Sequence, residues 1–148
     1  MRVEVKIALT KEDLEACYLL RYNILRKPWN QPRGGEKDNL EEYSTTWMAI
    51  KNDKIIGTLR LNGFKTNQLQ LRFMAIELEY QKKGLGLLML NKIENHVQNH
   101  NPEINSIILN SRENAVPLYL KWGAVISGLG DTLFGEIKHF KMIKEISQ

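Results

Sequence analysis

Val3, Val5 and Ile7 alternate with charged neighbours, the two-residue period of a half-buried strand. From Thr10 the period lengthens. Leu14, Cys17, Tyr18, Ile24 and Leu25 form one helical stripe, and Thr10 with Asp13 makes a variant of the capping box at its start. Arg21 falls inside that stripe, so it either pairs with a carboxylate or faces a cleft. Residues 27–40, KPWNQPRGGEKDNL, break the pattern with two prolines and two glycines. A loop this long in a compact domain is often functional, and Trp29 reads as its hydrophobic anchor or as part of a substrate wall.

Three strands follow, Thr46–Lys51, Ile55–Phe64 and Gln68–Ile76, joined by Asn52-Asp53-Lys54 and Lys65-Thr66-Asn67 as an antiparallel meander. A helix from about Gly84 to Asn99 carries Leu85, Leu88, Met89, Ile93 and Val97, and Pro102 opposes its continuation. Ser106–Asn110 reads as a short buried strand. Ala115–Trp122 reads as a short helix with Pro117 near its first turn and Gly123 placed to end it. Val125–Ser127 and Phe134–Ile143 read as a closing pair of strands. Strand, helix and strand from 68 to 110 predict a parallel crossover in a mostly antiparallel sheet. The expected fold is α/β, a mixed central sheet flanked by helices, in one domain spanning 1–148.

Composition narrows the function classes. No run approaches the roughly 20 apolar residues that span a bilayer, and the N-terminus MRVEVKIALT has no apolar signal core. Cys17 is the only cysteine, which excludes an internal disulfide and fits a cytoplasmic setting. The net charge of +4 comes without a basic stripe interleaved with aromatics, which argues against nucleic acid and suits a phosphate-rich cofactor. His96 and His100 sit four apart on one helix without a Glu-x-x-His context or third ligand, so no metal is expected.

The chemistry concentrates in Leu71–Gly86, LRFMAIELEYQKKGLG. A strand ends, Gln81-Lys82-Lys83-Gly84-Leu85-Gly86 turns the chain, and a helix begins at once. The first helical turn leaves N–H groups without intrahelical partners, and the helix dipole adds positive charge there. Glycines at 84 and 86 would let backbone approach a phosphate, and Lys82 and Lys83 add charge at the rim. The dinucleotide fingerprint and the Walker loop are both absent. Taken alone, the two glycines equally describe a tight strand-to-helix turn.

Gln81-x-x-Gly84-x-Gly86, following Met74-Ala75-Ile76, resembles the acyl-CoA signature of the GNAT N-acetyltransferase superfamily. Ala115, Tyr119, Gly123 and Ala124 resemble a later family pattern, with Ala124 where phenylalanine is commoner. Phe134 to Met142 and Leu25-Arg26-Lys27-Pro28 resemble further stretches of one branch, so the likeness runs through nearly the whole chain. It implies that the amides of the Gln81–Gly86 turn hold the pyrophosphate of acetyl-CoA. It also implies that the strand end Phe73, Met74, Ala75 and Ile76 holds the pantetheine arm, helped by Asn110 and Asn114.

The implied reaction is direct attack of an amine, more readily that of a small molecule than of a protein, on the acetyl thioester. Tyr119 takes the position that protonates the departing thiolate, and an ordinary phenol pKa of about 10 lies close to that of a thiol. Glu77 and Glu136 are candidates for the base, with His139 and the loop acids Glu36 and Asp38 beside them. Arg21, Arg72 and His139 are candidates to contact the acceptor, Arg72 facing opposite to Leu71 and Phe73 by strand alternation. An acyl-CoA sensor without turnover and an interaction module on the same fold are the competing readings, and a homodimer through exposed strands is left open.

Overall fold

The computed structural model describes residues 2–146. Its elements are β1 (Glu4–Ile7), α1 (Lys11–Leu25), β2 (Thr45–Lys51), β3 (Lys54–Asn62), β4 (Gln68–Ile76), α2 (Leu85–His100), β5 (Ser106–Arg112), α3 (Val116–Trp122), β6 (Val125–Leu133) and β7 (Ile137–Glu145). One seven-stranded sheet runs in the order β1-β2-β3-β4-β5-β7-β6. Only the β4–β5 pair is parallel, as expected for strands joined through α2.

Local chemistry sets the element ends. Thr10 Oγ1 accepts from the Asp13 amide at 3.0 Å and caps α1. Gly123, at φ +100, ends α3 in the left-handed conformation that glycine adopts without strain. Leu85, Met89, Leu90, Ile93 and Val97 bury one face of α2 against the sheet, each side chain contributing about 1.5–3 kcal/mol of apolar burial. Gly57 on β3 admits the helix, because a Cβ there would lie 2.8 Å from Met89 Sδ.

The last hairpin differs from the sequence expectation. β6 runs to Leu133, and Phe134–Glu136 form the turn rather than opening the second strand. Phe134 and Gly135 both have positive φ, 54° and 70°, the conformation of a tight hairpin connection. Gly128, Gly130 and Asp131 look like strand breakers in sequence, yet they sit within β6 at an exposed edge where register shifts accommodate them.

The consequential irregularity is in β4. Thr58 pairs with Ala75 and Arg60 with Arg72, so Leu59 alone stands opposite both Phe73 and Met74. Phe73 has φ +53, the left-handed residue of a bulge. The extra residue reverses the alternation. Leu69 and Leu71 pack in the core beneath α2, whereas Phe73 and Ala75 pack with Leu20 and Leu25 of α1. Strand alternation had placed Arg72 opposite Phe73. The bulge corrects this, because both point to the α1 side and the Arg72 guanidinium lies 4.4 Å from the Phe73 ring centre.

Beyond the bulge the sheet opens. β4 and β5 pair only from Gln68↔Ser106 to Leu71↔Leu109. β4 continues to Ile76 and β5 to Arg112, so their ends part and leave backbone groups of β4 without a neighbouring strand.

Candidate active site

A cleft of about 260 Å³ occupies the gap. Its walls come from the end of α1, the bulged part of β4, the end of β5, α3 and the β6–β7 hairpin. Met74, Asn110 and Tyr119 belong to this lining, as do Arg72 and His139. With Phe73, which also lines it, six residues predicted from distant parts of the sequence therefore meet in one place.

Tyr119 is held by α3 and is 6% exposed. Its hydroxyl donates to Met74 Sδ at 3.4 Å, and a thioether is a weak acceptor. Burial pushes the phenol well above its usual range, so at neutral pH it holds its proton. Sequence reasoning assumed an ordinary phenol. In this apolar wall a thiolate would be destabilised by the same loss of water, which raises the affinity of sulfur for a proton as well.

The turn before α2 is open at its tip. Gly84 caps the helix at φ +88 with no side-chain hydrogen bond, and a Cβ there would meet nothing within 4 Å. The first amides of a helix of this length are free to face a ligand, and Lys82 and Lys83 stand exposed beside them. Gln81 has a different task, its Nε2 donating to Ile76 O at 2.8 Å and tying the turn to the end of β4. Gly86 also differs from the expectation of phosphate approach. It is buried, and a Cβ there would lie 2.8 Å from Leu118 Cδ2 and 3.4 Å from Ile76 Cδ1. Its small size serves the packing of α2 on α3. Leu85 is likewise buried in the core, leaving its backbone as the part available to a phosphate.

Arg21 and Arg60 are fully buried and share one carboxylate. Nη1 of each donates to Glu41 Oε2, at 3.0 and 2.9 Å. Arg60 and Arg72 also share Asp38, each donating at 2.6 Å. Arg21 further reaches Glu36 O and Thr46 Oγ1, both at 3.2 Å. The Phe73 ring lies within 5.6 Å of the guanidinium carbons of Arg21, Arg26, Arg60 and Arg72. Burial tends to raise the Asp38 pKa, but hydrogen bonds from Arg60 and the Leu40 amide and the charge of Arg72 outweigh it and hold the carboxyl below its usual range. This network fastens the 27–40 loop to the sheet. It also removes Arg21 from the expected acceptor contacts, since Arg21 does not line the cleft.

The other expected residues separate. Glu77 lines a second cavity beside α1, with Asp13 and Lys54. Glu136 is exposed in the β6–β7 turn, and Asn114 is exposed after β5. None of the three lines the cleft. His139 does, and its Nδ1 lies 3.0 Å from Ile137 O and 3.2 Å from Asp131 O. A carbonyl oxygen only accepts, so Nδ1 carries a proton in these contacts. His96 and His100 stack at 4.1 Å, and His100 Nδ1 contacts His96 O at 3.0 Å. Arg26, Arg112 and Asp131 also line the cleft. The sequence reading touched only Arg26, within the Leu25-Arg26-Lys27-Pro28 stretch, and gave it no role.

A sheet split between β4 and β5, a glycine-capped turn into α2 and a buried phenol at the split are features of an acyl-CoA N-acyltransferase fold. Residues 28–146 match the model of the acetyltransferase (GNAT) domain. The chain belongs to the GNAT family and is an N-acetyltransferase. It is 25% identical over 139 residues to YjcF, an uncharacterized N-acetyltransferase of Bacillus subtilis, covering 94% of this chain and 97% of that protein. The ribosomal-protein-S18-alanine N-acetyltransferase of Escherichia coli superposes with a TM-score of 0.79 at 19% identity, over 99% of this chain and 96% of that one. An aminoglycoside 6'-N-acetyltransferase solved with coenzyme A superposes with a TM-score of 0.76 at 15% identity, over 100% and 98%. At these identities the structures establish the fold alone. Among the described residues no helix is long and apolar enough to cross a membrane.

Proposed function

We propose that the protein transfers the acetyl group of acetyl-CoA to the primary amine of a small molecule by direct attack. The observation that carries this reading is that Tyr119 and His139 both line the cleft where β4 and β5 part. Acetyl-CoA supplies an activated acyl group as a thioester, and the remaining work falls to side chains and backbone of this chain. The amides at the start of α2, with Gly84, Lys82 and Lys83, would hold the pyrophosphate. The unpaired edge of β4 from Phe73 to Ile76 would hold the arm and present N–H groups to the developing oxyanion.

His139 Nε2 would take the proton that the attacking amine loses, because Nδ1 is engaged with the carbonyls of Ile137 and Asp131. Tyr119 would deliver its proton to the departing sulfur. The cleft volume, about 260 Å³, suits a small acceptor better than a folded protein surface.

Calorimetric titration with acetyl-CoA tests the first half of this reading, with Gly84→Glu as the control. Micromolar binding that the variant loses is the expected result. Absence of binding by the folded wild type would remove the cofactor site and bring the interaction-module reading forward.

A further inference from the structure

We infer that Arg26 and Arg112 form an oxyanion-binding site at the acceptor end of the cleft, so that the amine acceptor is a small zwitterion carrying a carboxylate or phosphate. This rests on the acetyl-transfer reading above and narrows it to a class of substrate.

Two arginines stand apart from the rest. Arg21 and Arg60 are buried and each pairs with a carboxylate, and Arg72 pairs with Asp38. Arg26 is 8% exposed, and Arg112 is half-buried. Neither forms an ion pair among the described residues. Both donate to one carbonyl, Leu25 O, from Arg26 Nη1 at 3.0 Å and Arg112 Nη2 at 2.8 Å. Two like charges are thus held side by side with little water. Burial, together with the neighbouring cations, lowers both pKa values, that of Arg112 to about 10, with the charge of Glu36 opposing the shift at Arg26. A chain that matches its other buried guanidiniums to carboxylates leaves this pair for an anion from outside.

The pair is also rigid. Arg26 Nε donates to Gly35 O at 2.9 Å, and its guanidinium lies over the Phe73 and Phe134 rings at 5.6 and 5.5 Å. Arg112 lies 4.7 Å from the centre of the Trp29 ring. The remaining N–H groups, Arg26 Nη2 and Arg112 Nε and Nη1, have no acceptor among the described residues. Preset forks of this kind suit oxyanion recognition. None of the residues of the Gln81–Gly86 turn lines the cleft, so the pair is separate from the cofactor's phosphate cradle.

The same cleft carries the opposite character elsewhere. Asp131 and His139 line it too, and they would receive the amine while the guanidiniums receive the oxyanion. That arrangement orients a zwitterion with its nitrogen toward the acyl group. Leu25 ends α1, whose carbonyl dipole favours a cation, so a purely structural role for the arginines is the rival account.

The experiment compares CoA release with matched amines, β-alanine and phosphoethanolamine against β-alaninamide, ethanolamine and spermidine. In parallel, succinate and inorganic phosphate are titrated by calorimetry into the protein without cofactor. The anionic amines should exceed the neutral and cationic ones at least tenfold in kcat/KM. The better of β-alanine and phosphoethanolamine then identifies the oxyanion. Arg112→Gln and Arg26→Gln should raise the KM of the anionic amines about 10- to 100-fold and weaken succinate or phosphate binding equally. They should leave CoA affinity and the KM of neutral amines unchanged. Arg112→Lys, which keeps the charge and loses the fork, guards against misfolding and should fall between. Preference for spermidine or ethanolamine, or variants that lower the melting temperature without moving the anionic KM, would overturn the proposal. Failure of CoA to bind would instead sink the acetyl-transfer reading, and the succinate and phosphate titrations would still decide the arginine site.

Discussion

The Tyr119 hydroxyl points at Met74 Sδ across 3.4 Å. A donor at the mouth of a reactive cleft thus has a soft, weak acceptor as its only partner among the described residues. A stronger acceptor in that place would compete with the departing sulfur for the same proton.

Replacing Tyr119 by Phe therefore separates chemistry from structure. The lost contact is weak, so the melting temperature should change little, by less than about 1 kcal/mol in stability. The value of kcat should fall about 100-fold or more, with CoA affinity unchanged. Rapid-quench turnover beside calorimetry checks both, and full activity in the variant would remove Tyr119 from the mechanism.

His139 makes a second test. A His139→Ala enzyme should lose about 100-fold in kcat/KM for the acceptor while binding CoA as before. Glu77→Gln and Glu136→Gln, lying away from the cleft, should retain activity. Initial rates of the three variants decide among these bases, and a Glu77→Gln enzyme as impaired as His139→Ala would contradict the assignment.

The arginine network predicts an acid-side loss of stability. Asp38 has a depressed folded pKa, so its contribution is present above the unfolded carboxylate value, about 4, and is lost as pH falls through the folded value. Thermal melts from pH 6 down to about pH 2 should show this loss in wild type. In Asp38→Asn the loss should be smaller, and stability at neutral pH should already be lower by about 1–3 kcal/mol, because Arg60 keeps Glu41 while losing one of its two carboxylates. Identical pH profiles would refute the assignment.

Gly86 can be tested by a double-mutant cycle. Gly86→Ala drives a Cβ toward Leu118 and should cost about 1–3 kcal/mol, whereas Leu118→Ala in the same chain should recover part of that. Chemical denaturation measures the coupling, and strict additivity would mean that the contact does not constrain α2 and α3.

The sequence made the elements and the strand-to-helix turn readable because both rest on local signals. Periodicity found α1, α2 and the meander, and the Gln81–Gly86 spacing marked the turn that enters α2. The Phe73 bulge was not readable, since nothing in LRFMAI marks a left-handed phenylalanine and simple alternation puts Arg72 and Phe73 on opposite faces. The same error of range hid Arg26 and Arg112, 86 positions apart by their numbers, which meet only because α1 ends where β5 ends. Arg21 was legible as anomalous in its stripe, but its partner Glu41 lay outside the loop singled out for function. Gly84 and Gly86 looked alike in sequence, and only the neighbours of each separate the open cradle from the packed one.

The Gly86–Leu118 contact joins the helix proposed to receive phosphate to the helix that carries Tyr119. On the proposed reading, the two ends of an acyl donor would therefore be gauged by one fixed calliper. A donor with a shorter or longer arm between phosphate and sulfur would seat one end only, so the co-substrate would be measured by length before any atom reacts.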